Sequence, residues 1–246
     1  MYKLEDKKII FNDSKLFPHL PLLGDGSHAN VYKFRIDKTV YALKVFNGLY
    51  KENLKDFESK LDINIESFIS PIKLLYVNDK FKGYIMRFCQ GKDLEKRPKL
   101  PISVSEFALS ATKLFDDTKK LTELKYNIYD SFISNVMYDN GFKMIDMDSY
   151  LYETNKSYVE IEELNNIRLN QMLSDIFVNS TGLAELFFKN VDLKKKLANC
   201  TSGKILFEDL FNEVCVMAYN IADEEITTIA DVGKVLKKNK NYFSVK

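Results

Sequence analysis

The chain is poor in the residues that mark a zinc site, a disulfide scaffold or a membrane span. Among 246 residues there are three cysteines, Cys89, Cys200 and Cys215, with no Cys-x-x-Cys spacing, and two histidines, His19 and His28. That scarcity argues against a structural zinc site and against a cysteine-histidine nucleophile pair. An odd, scattered set of thiols suits a reducing cytosol. No apolar run approaches the roughly 20 residues that a membrane span needs. The opening stretch from Met1 to Lys8 is too charged for a secretory signal. A cytoplasmic location is therefore expected. An excess of either charge is missing as well. With 36 basic against 35 acidic residues the net charge is +1, so no long-range field steers the protein to nucleic acid or to an anionic membrane. The lysine runs at Lys194-Lys195-Lys196 and around Lys237, Lys238 and Lys240 read as solvated helix ends. Internal repeats, low-complexity stretches and a Pro/Gly linker are absent too.

What is present is an ordinary globular composition, 46% hydrophobic and 29% charged, enough apolar material for a sizeable core. The first part reads as about five strands and one helix. Ile9 to Phe11 is a candidate leading strand, and Leu20 to Leu23 and Val31 to Ile36 flank a glycine-containing turn. In Val40 to Phe46 the period of two sets Val40, Ala42 and Lys44 on one face against Tyr41, Leu43 and Val45. From Tyr50 to Asp62 the pattern turns helical through Leu54, Phe57 and Leu61. Ile72 to Val77 and Lys82 to Phe88 form a hairpin across Asn78-Asp79-Lys80. A composition shift near residue 91 marks a boundary between lobes 1-91 and 92-246 of one domain, and Pro98 and Pro101 delay the next helix. Ser103 or Ser105 caps that helix, which carries Phe107, Leu109, Leu114, Leu121 and Leu124. Beyond Asp148 the chain reads as helices over Glu160 to Val178, Leu183 to Leu197, Phe207 to Tyr219 and Ile229 to Leu236.

Asp130, Asn135 and Asp146 carry the strongest functional signal. The Asp is followed by the Asn five residues later, then by a hairpin turned at Asn140-Gly141 and an apolar strand ending in Asp146. That order gathers a base and two hard metal ligands, as phosphoryl transfer requires. Upstream, Gly24 and Gly26 in Leu23-Gly24-Asp25-Gly26-Ser27-His28-Ala29-Asn30-Val31 can bring a hairpin backbone close to phosphates. Lys44 stands mid-strand among apolar neighbours, where an ammonium demands a partner.

In order and spacing these motifs resemble the glycine-rich loop, strand lysine, catalytic loop and metal-binding aspartate of the protein kinase family, over roughly residues 20 to 150. The resemblance implies an α+β, two-lobed fold: a five-stranded antiparallel sheet with one helix, then a mostly helical lobe with a truncated activation segment. It implies ATP and Mg²⁺ as cofactors. Lys44 would hold phosphate, paired by Glu58 on the inserted helix, with Glu52, Asp62 and Glu66 as alternatives. Asp130 would act as base, and Asn135 and Asp146 as metal ligands. Met86, Arg87, Phe88 and Cys89 would form the adenine hinge, with Ala29 at the third glycine position. Val31, Ala42 and Met137 would line the base.

The chain departs from that family in several places. Ile128-Tyr129 replace the His-Arg that braces the catalytic loop, Phe132 stands where a phosphate-contacting lysine is usual, and Met147-Asp148 follow Asp146 in place of Phe-Gly. The Ile-Asp-x-Asp form resembles the aminoglycoside and choline phosphotransferases, and Asp148 is either a further metal ligand or a turn cap. No Ala-Pro-Glu motif follows. The expectation is an ATP- and Mg²⁺-dependent transfer to a hydroxyl, with protein serine or threonine favoured as acceptor. The rivals are a small-molecule phosphotransferase and a nucleotide-binding pseudokinase.

Overall fold

The computed structural model describes residues 2–48, 54–95 and 100–239. Tyr50 and Glu52 of the expected helix, Pro98 and Lys240 lie outside the described residues. The chain divides into two compact units, Met1–Gln90 with Ile145–Asp148, and Gly91–Met144 with Ser149–Lys246. The whole is α+β, and no helix among the described residues is long and apolar enough to cross a membrane.

The first unit is built on a sheet of seven strands in the order β1-β2-β6-β7-β5-β4-β3. They are β1 (Tyr2–Leu4), β2 (Lys8–Phe11), β3 (Leu22–Asp25), β4 (Ala29–Ile36), β5 (Thr39–Phe46), β6 (Pro71–Val77) and β7 (Lys80–Arg87). The expected five-stranded antiparallel sheet is thus corrected to seven strands in a mixed sheet. Strands β3 to β7 pair antiparallel throughout, but β2 joins the edge of β6 in parallel and β1 folds back on β2. Strand period two sends alternate side chains to opposite faces. Leu43, Ile85, Leu75 and Val77 face one cluster with Ile9, Phe11 and Phe34. Ala42, Phe46, Leu74, Tyr84 and Met86 face the other, which α1 (Leu54–Lys60) enters through Phe57.

Between β7 and β5 the backbones close tightly at Gly83. Its φ is +147°, and a Cβ there would lie 2.0 Å from the Lys44 carbonyl oxygen. Only glycine tolerates both conditions, so Gly83 fixes the backbone from which Lys44 projects.

The second unit is mainly helical: α2 (Val104–Glu123), α3 (Tyr158–Thr181), α4 (Ala184–Lys189), α5 (Val191–Thr201), α6 (Phe207–Ile221) and α7 (Ile229–Lys238). Its strands are β8 (Lys92–Asp93), β9 (Tyr126–Asn127), β10 (Val136–Tyr138), β11 (Phe142–Met144) and β12 (Leu151–Tyr152). β10 lies between β11 and β8, and β12 pairs with β9. Phe107, Phe142, Phe177, Phe207 and Phe211 pack as an aromatic core, with Phe107 and Phe211 stacked at 5.4 Å between centroids. At the β10-β11 turn Asn140 and Gly141 both take positive φ, 50° and 127°, as a tight hairpin asks.

Two helix expectations are corrected. Leu183 to Leu197 is broken at Asn190, whose side chain accepts the Leu193 amide at 2.9 Å and so starts α5 afresh. Of the residues expected on α2, Leu124 is instead its C-cap, and it and Leu109 are exposed, because the helix buries Phe107, Ala111, Leu114 and Leu121.

Candidate functional site

Lys44 is the centre of the first unit's charged cluster. Residues opposite one another in antiparallel strands share a face. Val31 sits opposite Lys44, Tyr84 opposite Lys44, and Met86 opposite Ala42. Val31, Ala42, Lys44 and Met86 therefore line one sheet face, together with Ala29 opposite Phe46. Ala29, Ala42 and Met86 are buried, and Val31 is half-buried. At the end of β7, Arg87 is exposed and donates to the Glu66 carbonyl at 2.8 Å. Phe88 is half-buried with the Lys33 ammonium 5.1 Å from its ring centre, and Cys89 is half-buried and outside any disulfide.

The turn between β3 and β4 closes through Gly26, whose amide donates to the Ala29 carbonyl at 2.9 Å. A Cβ on Gly24 would meet nothing within 4 Å, so no packing demands glycine there and the position looks into open space. Asn47, just beyond β5, ties the turn down. Its side-chain amide donates to the Gly26 carbonyl at 3.1 Å, and its backbone amide to the His28 carbonyl at 2.8 Å. Nothing in the sequence pattern singled out Asn47; its position directly after the lysine strand is the only signal it left.

Lys44 Nζ donates to both carboxylate oxygens of Asp146 at 3.0 Å and lies 2.5 Å from Asp148 Oδ2. The other oxygen of Asp148 accepts the hydroxyl of the fully buried Tyr84 at 2.5 Å. Burial pulls the Lys44 ammonium down, but the charges of Asp146 and Asp148 overcome that and hold its pKa above the ordinary value. Burial, and then the charge of Asp146, push the Asp148 carboxyl up against the opposing pull of Lys44 and Tyr84.

The expected pairing of Lys44 with Glu58 is corrected. Glu58 is exposed, while Phe57 and the fully buried Lys60 occupy the inward side of α1. A helix advances 100° per residue, so facing Phe57 inward turns the next position away. Lys60 bonds Asp56 Oδ2 at 2.6 Å and the Asp148 carbonyl at 3.2 Å. Of the alternatives, Asp62 pairs with Lys7 at 3.1 Å, and the Glu66 carbonyl accepts from Arg87 at 2.8 Å.

The second unit holds the remaining predicted residues. Asp130 follows β9 and is half-buried, its Oδ1 buried without a hydrogen-bond partner. Asn135 ends a short 3-10 turn (Ile133–Asn135), its amide donating to the Phe132 carbonyl at 2.9 Å. Met137 sits half-buried on β10. Sequence reasoning missed Asn165 of α3. This fully buried side chain accepts the Ile128 amide at 2.7 Å, and its amide donates to the Thr122 hydroxyl at 2.9 Å and the Tyr126 carbonyl at 3.0 Å. It spaces four residues from both Ile161 and Leu169, so a polar residue inside an apolar stripe was its visible mark.

Among the described residues no group of three or more His, Cys, Asp or Glu side chains is gathered as a metal site. The donor chemistry around Lys44 nonetheless suits a hard cation. The carboxylates of Asp56, Asp146 and Asp148 outnumber the ammoniums of Lys44 and Lys60, and the Asp146 side chain retains 35% of its exposure. Both carboxylates have both oxygens engaged within the protein, Asp146 by Lys44 and Asp148 by Lys44 and Tyr84, but Asp148 is only 11% exposed, so of the two Asp146 has the room that a hard cation would need. No family model matches the chain, and no curated protein matches it in sequence.

Proposed function

We propose that the protein is an ATP- and Mg²⁺-dependent phosphotransferase of the cytoplasm that delivers the γ-phosphoryl to a hydroxyl, with a protein serine or threonine as acceptor. The observation that carries this reading is the meeting of Lys44 with Asp146 at 3.0 Å, two residues 102 positions apart. A buried ammonium beside a part-exposed carboxylate provides one group for phosphate and one for a hard cation. Further support comes from the open space at Gly24 and from the apolar sheet face of Val31, Ala42 and Met86 beside Lys44.

In this reading Lys44 binds phosphate oxygen and orients it. Asp146 and Asn135 hold Mg²⁺, which when bound neutralises phosphate charge. The turn between β3 and β4 lies over the phosphates with no side chain at Gly24 to obstruct them, and the segment from Met86 to Cys89 receives the base. Asp130 accepts the proton of the attacking hydroxyl as its oxygen bonds to the γ-phosphorus, and the bond from that phosphorus to the bridging oxygen breaks to release ADP. The buried, unpartnered Oδ1 of Asp130 supports a role that leaves it ready to accept a hydrogen bond.

A small molecule as acceptor is the second reading. It is favoured by the short segment from Ser149 to Ser157, which connects Asp148 to α3 and contributes β12 to a pairing with β9. A long peptide platform has no chain to form it there.

The test is calorimetric titration of ATP with and without Mg²⁺, followed by transfer of labelled phosphate to proteins and, separately, to amines and alcohols. Lys44→Met and Asp146→Asn should each weaken Mg-ATP binding about tenfold or more, the loss of one charge-assisted contact or metal ligand. Asp130→Ala should reduce transfer about 10²- to 10⁴-fold, the usual share of a general base, while sparing ATP affinity. No binding at millimolar nucleotide overturns the proposal. Binding without transfer to any acceptor reduces it to a nucleotide-binding module.

A further inference from the structure

We infer that Asp148 is a positioning residue for Lys44 rather than a metal ligand, taking the place expected of a glutamate on α1. The inference rests on the phosphotransferase reading above and assigns one residue within it. Sequence alone left Asp148 between metal ligand and turn cap. The geometry points elsewhere, because its two carboxylate oxygens are held by two different side chains, Lys44 Nζ at 2.5 Å and the Tyr84 hydroxyl at 2.5 Å, whereas both Asp146 oxygens accept from Lys44. A metal ligand needs a lone pair directed at the ion and room for its waters. Asp148 has little of either, its side chain being 11% exposed against 35% for Asp146.

The backbone is held as firmly as the side chain. The Asp148 amide donates to Asp146 Oδ1 at 3.2 Å, and its carbonyl accepts from Lys60 at 3.2 Å. Lys60 is anchored in turn by Asp56 at 2.6 Å, one helical turn earlier on α1. The helix thus reaches Lys44 through a relay of contacts, from the Asp56 carboxylate to the Lys60 ammonium, from Lys60 to the Asp148 backbone carbonyl, and from the Asp148 carboxylate to Lys44. A cation on the inward face of α1 binds the segment after β11, and that segment returns the carboxylate which α1 itself does not offer. Tyr84, opposite Lys44 across the β5-β7 pairing, fixes the carboxylate's rotation. Asp146, the more exposed of the two carboxylates, is left as the one that exchanges Lys44 for a cation.

Two measurements test the inference. In calorimetry, Asp148→Asn should weaken ATP binding about tenfold both with and without Mg²⁺, keeping the ratio of the two Kd values within about twofold of wild type. Tyr84→Phe should act in the same direction by about threefold, and it serves if Asp148→Asn does not fold. Asp146→Asn should instead collapse the ratio. If Asp148→Asn collapses the ratio as Asp146→Asn does, Asp148 is a metal ligand and the inference fails. The second measurement is a double-mutant cycle by denaturant unfolding of nucleotide-free protein, pairing Lys44→Met with Asp148→Asn and with Asp146→Asn. Strong non-additivity for Lys44 with Asp148, exceeding that for Lys44 with Asp146, is the expected result. Additivity for the Lys44-Asp148 pair overturns it. Wild-type protein that binds no nucleotide defeats the phosphotransferase reading alone, since the cycle still decides the pair.

Discussion

Asn165 holds the stretch that leads to Asp130. From α3, its side chain accepts the Ile128 amide while donating to the Thr122 hydroxyl and the Tyr126 carbonyl. Truncating it takes the acceptor from the buried Ile128 amide, which costs about 1–3 kcal/mol. Asn165→Ala should therefore lower the melting temperature by about 2–12 °C, on the scale of roughly 2–4 °C per kcal/mol for a chain of this size. In the proposed activity it should slow transfer more than it weakens ATP binding, because the loop it braces carries the base and not the phosphate lysine. A melting temperature within about 1 °C of wild type would show that the network contributes nothing. The pattern of residue types exposed this site only in part. Asp130 and Asn135 were visible because they stand in a spaced motif, whereas Asn165 was hidden in an apolar stripe whose periodicity remains good without it. Glu58 failed for a related reason. Distance along the chain from Lys44 selected it, but the phase of α1 decides which side chain faces the sheet, and Phe57 and Lys60 take those places. The pairing of Lys44 with Asp148 was illegible, because it joins residues more than a hundred positions apart through a contact without local pattern.

Three of the helices start alike. Ser103 with Glu106, Ser157 with Glu160 and Thr228 with Asp231 form reciprocal capping boxes on α2, α3 and α7. In each the hydroxyl accepts the amide three residues on, and the carboxylate reaches back to the cap amide, at 2.8 Å for Glu106, 2.8 Å for Glu160 and 3.0 Å for Asp231. The Ser103 and Ser157 amides, followed by their hydroxyls, draw Glu106 and Glu160 below the ordinary carboxylate range, and Lys234 and then Thr228 do the same for Asp231. A carboxylate with a lower pKa folded than unfolded contributes stability that is fully present above the unfolded value, about 4, and is lost as pH falls toward the folded one. Melting temperature should accordingly decline from about pH 5 to about pH 3. Combining Glu106→Gln, Glu160→Gln and Asp231→Asn should lower stability at neutral pH and flatten that acid limb. An acid limb as steep as wild type's would place the effect in other carboxylates. Helix starts were the most legible elements, since Ser103-x-x-Glu106 is itself a start signal that Ser105 lacks. The break at Asn190 was available by the same logic and passed over, because the apolar spacing on either side of it is continuous.

At the scale of the molecule, the sheet shows where local pattern stops informing. Ile9 to Phe11 reads as a strand from its own residues, but its parallel pairing with β6 joins segments more than sixty positions apart, and no nearby turn announces it. The same holds for the two compact units. Ile145–Asp148 follows β11 directly in sequence yet belongs with the first unit, where Ile145 packs against the cluster of Phe46, Tyr84 and Met86. The consequence is that Lys44, Asp146 and Asp148 are gathered in one unit, and a ligand that binds them stabilises that unit's fold by mass action. At about 100 times its Kd such a ligand adds about 2.7 kcal/mol, which corresponds to a rise of about 5–10 °C for a chain of this length. Scanning calorimetry with Mg-ATP at that excess should show the rise in wild type. Under the same nucleotide and metal concentrations it should shrink in Asp146→Asn and Lys44→Met, to about 3–6 °C for a tenfold weaker Kd, which leaves about 1.4 kcal/mol of linkage, and to about 1–2 °C for a hundredfold weaker one, which leaves about 0.4 kcal/mol. A wild-type shift that both variants retain in full would mean that nucleotide binds away from the Lys44 cluster, and the assignment of phosphate and metal to it would fall.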